Sequence, residues 1–167
     1  QDPPYTTSID LVNHVKEATP DSLNYLIEDM FETITLYQNR IVSTESKKLD
    51  NGKYQVDIEF KVSKYRNDEK GKIFYGDREK DSISYKTEEM RKPEYSVYLS
   101  DYVDVGVFGE NDDKETELYL KKHKINSINN KVTIVVDEEP IEVGIDPYNK
   151  LIDTNSDDNR KKINPIL

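Results

Sequence analysis

Apolar positions along the chain fall into two registers. Leu23, Leu26, Ile27, Met30, Phe31 and Ile34 stand at i, i+3, i+4, i+7, i+8 and i+11, the spacing that lays one apolar stripe along an α-helix. Thr19 suits the N-cap, Pro20 the first helical position, and Asp21 the positive end of the dipole. A helix is therefore predicted over about 20–36, with its stripe too long to be left in water. A shorter helix precedes it, with Ile9, Leu11, Val12 and Val15 as its stripe and Thr7 and Asp10 at capping-box spacing. Residues 1–7, opened by Gln1-Asp2-Pro3-Pro4, read as a linker, and so abrupt a start is expected of either an excised domain or a trimmed chain.

After Tyr37 the period changes to two. A strand over about 40–48 meets the hairpin turn Asp50-Asn51-Gly52, and the return strand places Tyr54, Val56, Ile58, Phe60 and Val62 on one face. Residues 64–95 are heavily charged, with Tyr65, Tyr75, Tyr85 and Tyr95 ten apart; they read as two charged turns between short strands. Further strands are predicted at about 95–100, at 102–108 through Val103, Val105 and Val107, and at 117–125 through Leu118 and Leu120. Turns are predicted at Gly109–Asp113 and Ser127–Asn130. The final pair of strands is the clearest: Val132, Ile134 and Val136 alternate with Thr133 and Val135. After Asp137-Glu138-Glu139-Pro140, Ile141, Val143 and Ile145 alternate with Glu142 and Gly144. Pro147 then fixes an exit on which Tyr148, Leu151 and Ile152 pack back, and the chain is expected to fray beyond Asn159. Roughly seven strands joined by turn chemistry predict a mainly β chain, an antiparallel immunoglobulin-like β-sandwich preceded by two α-helices. The expected division is a helical segment over 1–38 and a sandwich over 39–167.

Charge narrows the partners. With 24 basic and 34 acidic residues the net charge is 24 − 34 = −10, the wrong sign for nucleic acid or an anionic membrane surface. Absence of cysteine removes disulfides and thiolate metal sites. No apolar run approaches the ~18 residues of a membrane span. The two histidines, His14 and His123, lie far apart and outside any His-Glu-x-x-His motif, so no zinc ligand set is expected, and no catalytic or metal-binding residue is assigned. Asp153-x-Asn155-x-Asp157 imitates the start of a calcium loop, but Asp158 stands where Gly is needed and Asn164 where Glu is needed. Turn-capping roles are expected for these side chains, with a weak calcium site including Asp146 as the rival. The twelve tyrosines, without a tryptophan, are expected in half-buried strand positions and not as a sugar platform.

Four pieces carry a resemblance: Thr19-Pro-Asp-Ser-Leu-Asn-Tyr-Leu-Ile27, Phe31-Glu-Thr-Ile-Thr-Leu-Tyr-Gln-Asn-Arg40, Val105-Gly-Val-Phe-Gly-Glu110, and Val143-Gly-Ile-Asp-Pro-Tyr-Asn-Lys-Leu-Ile-Asp153 with Asp157-Asp158-Asn159. In that order they resemble the C-terminal region of bacterial membrane proteins that fuse an ABC-transporter-type permease to a gluzincin zinc aminopeptidase. The resemblance spans about residues 5–160 and excludes 64–95. It implies a parent with transmembrane helices and an upstream zinc metallopeptidase domain. Neither the family's His-Glu-x-x-His nor its Gly-x-Met-Glu-Asn motif occurs here, so no catalytic residue carries over, and zinc is expected only in the parent's catalytic domain. The chain thus reads as a non-catalytic accessory domain, itself soluble, packing on that peptidase domain in cis. It would be membrane-associated through the parent, on the extracytoplasmic face. The alternative is an adhesion or ligand-binding module for a glycan or peptide.

Overall fold

One long hairpin builds the first sheet. The structure, a computed structural model, describes residues 5–67, 69–70, 73–75, 84–86 and 99–165. Strands β1 (Ile34–Lys48) and β2 (Tyr54–Asn67) run antiparallel from Ile34↔Asn67 to Lys48↔Tyr54, with Gly52 at φ 85° in the turn, a conformation that costs Gly little. Val56, Ile58, Phe60 and Val62 alternate into the interior and are all buried, as the period of two predicts. On its far side β2 pairs with β7 (Asn129–Val136), and nearer its own C-terminal end with the short β3 (Ile73–Tyr75), which pairs with β4 (Ser84–Lys86). Of the strand expected at 95–100, residues 95–98 lie outside the described residues and Leu99 and Ser100 are not strand; of the charged turns, 68, 71–72 and 76–83 lie outside them.

The second sheet has the order β6 (Lys114–Ile125), β5 (Asp101–Asn111), β8 (Glu142–Ile145), β9 (Arg160–Lys162). Its Val103, Val105, Val107, Val143 and Ile145 meet Ile41, Val56, Ile58, Phe60, Ile134 and Val136 of the first sheet in one core. Each such side chain contributes about 1.5–3 kcal/mol by leaving water. The result is the expected β-sandwich: two antiparallel sheets, with helices preceding the first strand.

Several local expectations are corrected. The final pair of strands splits: β7 joins the first sheet and β8 the second, so residues 137–141 cross between layers. Period two reports a half-buried strand, not its partner. The turn after β5 is not Gly109–Asp113; the strand runs on to Asn111, and Asp112 and Asp113 make the turn at φ 50° and 58°, the geometry of a two-residue hairpin. From Val103 to Gly109 β5 is buried on both faces, with Asp146, Pro147 and Tyr148 of the exit segment against Asp104, Gly106 and Phe108 on its outer side. Gly106 and Gly144 stand opposite each other in the β5–β8 ladder, and a Cβ on either would come within 2.7 Å of Phe108 or Pro147. Only a glycine pair leaves the slot in which Pro147 lies.

The two ends depart furthest from expectation. Helix α1 (Ser8–Ala18) has its capping box, Thr7 with Asp10, yet buries no residue. Thr19 is its C-cap, donating to Val15 O, and does not start a second helix. A 3-10 turn (Asp21–Leu23) comes next, then a single α-turn, α2 (Asn24–Ile27), and a π-turn (Glu28–Glu32), after which β1 begins at Ile34. The stripe therefore breaks up; Ile27 is its one buried member. Of the three exit side chains expected to pack back, Leu151 packs on the core, whereas Ile152 and Tyr148 stay exposed; yet the tail does not fray after Asn159. β9 pairs with β8, Ile163 enters the core, and β10 (Asn164–Pro165) lies parallel to β1.

Candidate functional site

The inner face of the β1–β2 hairpin changes character towards one end. Opposed pairs read Ile41↔Phe60, Asn39↔Val62, Tyr37↔Lys64, Thr35↔Arg66. The row that is apolar in the sandwich centre thus ends in two cations facing inward. Two elements bring carboxylates to them: the π-turn supplies Glu28 and Asp29, and the first residue of β5 supplies Asp101. Lys64 Nζ lies 2.8 Å from Asp29 Oδ2 and 3.0 Å from Asp101 Oδ2. Arg66 reaches Glu28 at 2.7 Å and Asp29 at 3.1 Å. Tyr37 donates to Asp101 Oδ1 at 3.0 Å, Thr35 to Asp29 Oδ1 at 3.2 Å, and Tyr25 to Ser100 O at 2.6 Å, with Lys64 over the Tyr25 ring.

Burial first, then the charges of Asp101 and Asp29, push the Tyr37 hydroxyl far above its ordinary value, so it stays a donor. For Arg66, burial opposes the charge, but Asp29 and Glu28 outweigh it and the pKa is raised. The Lys64 side chain is 2% exposed. Its ammonium is spent on carboxylate oxygens and is closed to a substrate, so the cluster is built to hold the helical segment on the sandwich. Buried ion pairs of this kind add little net stability, since desolvation offsets attraction. They do fix which groups meet.

A second polar corner fixes the exit. Asp146, fully buried and at φ 45°, accepts the backbone N–H groups of Lys150 (3.0 Å) and Leu151 (2.9 Å). Burial pushes its carboxyl up, partly opposed by those two bonds, with Asp104 and Asp153 adding repulsion. For Asp104, burial also pushes upward, but Lys150 at 2.6 Å and Lys122 at 3.5 Å prevail and hold it below its usual value. Asp153 accepts Asn39 N–H and Asn155 N–H, both at 2.9 Å. The imitation calcium loop thus places Asp153 as a turn cap. Among the described residues no group of three or more His, Asp or Glu side chains is gathered to hold a metal.

The remaining sequence candidates stay apart. His14 Nδ1 lies 2.7 Å from Asp10 O on the exposed face of α1, while His123 Nε2 meets Tyr119 Oη at 2.8 Å on β6, with burial and then Lys121 lowering its pKa. Tyr37 and Tyr65 are core residues, whereas Tyr5, Tyr102 and Tyr148 are exposed, so the tyrosines form no common platform among the described residues. What sequence reasoning missed is the ion cluster. Lys64 and Arg66 at i, i+2, continuing the buried row of β2, were its only signal.

Exposed apolar side chains also recur along the N-terminal segment, without sharing one face of α1. Along the helical segment, Tyr5, Ile9, Leu11, Met30 and Phe31 are exposed, Ile9 by 71%, Met30 by 69% and Phe31 by 46%. No described helix is long and apolar enough to cross a membrane. No family model, curated protein or solved structure matches the chain.

Proposed function

We propose that the chain is a non-catalytic accessory domain that packs on and supports the zinc peptidase domain of a larger, membrane-linked permease–aminopeptidase fusion protein. One observation carries the docking part of this reading: the helical arm is pinned to the sandwich at its π-turn, through Glu28 and Asp29, while large apolar side chains of α1 and of the π-turn stay exposed. An arm with no partner gains nothing from exposed Ile9, Leu11, Met30 and Phe31; an arm that seats on a neighbouring domain in cis buries them. The resemblance of the four sequence pieces supplies the identity of that neighbour. The buried charges support a holding role, because Lys64, Asp29 and Asp101 neutralise one another out of reach of substrate.

The test begins with the open reading frame upstream of Gln1. A His-Glu-x-x-His motif and hydrophobic spans are expected there. Hydrogen exchange is then compared between the 167-residue chain and the longer protein. Amides of 8–33 should slow in the longer protein, and an unchanged rate there, or an upstream frame without the zinc motif, would overturn the reading.

A further inference from the structure

β6 is the outermost strand of its sheet. It bonds to β5 on one side, and among the described residues no strand lies on the other. A twelve-residue edge of this kind is a template for another strand. Lysines alone would blunt such an edge, but the order of charges here is different. A bulge at Leu118 resets the register, so that Glu115, Glu117, Leu120, Lys122 and Lys124 stand opposite Glu110, Phe108, Gly106, Asp104 and Tyr102 and share the outer face. That face therefore reads acid, acid, leucine, base, base.

We propose that β6 is the seam of a symmetric dimer, adding antiparallel to β6 of a second copy of this chain with the two-fold axis at Leu120. The axis position follows from the register, with Leu118 bulged in both strands. About Leu120, Glu117 falls opposite Lys122 of the second copy and Glu115 opposite Lys124, each twice by symmetry. On the inner face Tyr119 falls opposite Lys121, and Thr116 opposite His123. No like charges meet anywhere along the strand, whereas a parallel addition in the same register would set Glu on Glu and Lys on Lys. Opposite charges directly across an antiparallel pair are stabilising, and like charges are not. The two four-stranded sheets become one eight-stranded sheet, and the isologous contact closes without leaving a repeat to polymerise.

The intrachain partners of these charges leave the edge open. Arg160 reaches Glu115 from β9 and Tyr148 reaches Glu117 from the exit segment over Phe108, Lys122 stays 60% exposed at 3.5 Å from Asp104, and Lys124 lies over the Tyr102 ring. This inference is independent of the accessory-domain reading, since a free chain and a domain of a larger protein present the same edge.

Analytical ultracentrifugation of the 167-residue chain tests it. A reversible dimer is expected, with a dissociation constant on the order of 10 µM or weaker for so small a seam. It should weaken about tenfold or more between about 0.05 M and about 0.5 M NaCl as the cross-strand pairs are screened. E115K/E117K makes the face all basic and K122E/K124E makes it all acidic, so each alone is monomeric. Mixed in equal amounts they form a heterodimer. K124E alone, which breaks no ion pair among the described residues, keeps the fold intact and still weakens the dimer severalfold. A monomeric wild-type chain, a dimer indifferent to these changes, or a mixture that stays monomeric would overturn the proposal.

Discussion

The two flanks of the sandwich contrast sharply. The N-terminal arm, 8–33, carries the strongest helical signal in the sequence and yet buries only Ile27. The C-terminal exit, 146–165, carries hardly any periodic signal and yet is woven in. Tyr37 N–H donates to Ile152 O, Thr154 N–H to Tyr37 O and Ile145 N–H to Asn159 O, and Ile163 joins the core. The difference lies in what each flank offers. An amphipathic stripe states a capacity to bury apolar area, but not where the receiving surface is. An extended segment needs only an open sheet edge, and β1 and β8 provide two. Both flanks are pinned by buried acids, Asp29 and Asp101 against Lys64 at one end, Asp104 and Asp146 at the other.

The arm's pin is where the largest effect is expected. Lys64→Met should destabilise by about 3–5 kcal/mol, because Asp101 and Asp29 are left buried with less counter-charge. Replacing Asp101 by Leu in the same chain should recover part of that loss, since the uncompensated charge is then gone. Urea unfolding of the two variants decides it. A single variant that loses less than about 1 kcal/mol would mean that the arm and the sandwich are not coupled through this cluster.

Much of this contrast is hidden in the sequence, for physical reasons. The hairpin β1–β2 and the rows Val56–Val62 and Val103–Val107 are legible because period two and β-branched residues encode a half-buried strand directly. The separation of β7 from β8 is not, because alternation is blind to the pairing partner. The helical spacing over 20–36 misleads. Leu23 to Ile34 keep that spacing, but Thr33, Ile34, Thr35 and Tyr37 favour strand, and the hairpin ladder with Asn67 claims the stretch from Ile34 on. The ion cluster needs tertiary knowledge, since Asp29 and Asp101 reach Lys64 from distant parts of the chain. The capping box at Thr7 and Asp10 is legible because it is local.

The exit's pin should give a smaller and pH-dependent effect. Asp104 has a folded pKa held below its ordinary 3.8, so its pairing with Lys150 and Lys122 stabilises the protein above that unfolded value and is lost as pH falls through the folded one. Asp146 has the opposite sign. Its raised pKa contributes stability that is present below 3.8 and lost as pH rises through the folded value. Asp104→Asn should therefore cost about 1 kcal/mol at neutral pH, a modest figure because both lysines are largely exposed and screened. The cost should shrink towards zero in acid. Thermal unfolding of wild type and variant across acidic and neutral pH reads this difference, and a cost that stays constant or grows in acid would show that Asp104 acts through packing and not through its charge.

The smallest effect belongs to the arm's stripe. Phe31 is 46% exposed, so Phe31→Ala removes little buried area and opens no closed cavity; it should cost less than about 1 kcal/mol in the 167-residue chain. Ile163, in the opposite flank, is 8% exposed and packs with the core, so Ile163→Ala should cost about 2–5 kcal/mol. Equal losses in the two variants, read by urea unfolding, would erase the contrast between the flanks. A small loss at Phe31 has a further consequence: selection for the folded chain alone has no use for an aromatic there. If the accessory-domain reading holds, the same Phe31→Ala change in the longer protein should speed hydrogen exchange across 8–33, because the side chain that did nothing for the isolated fold is then part of the seam with the neighbouring domain.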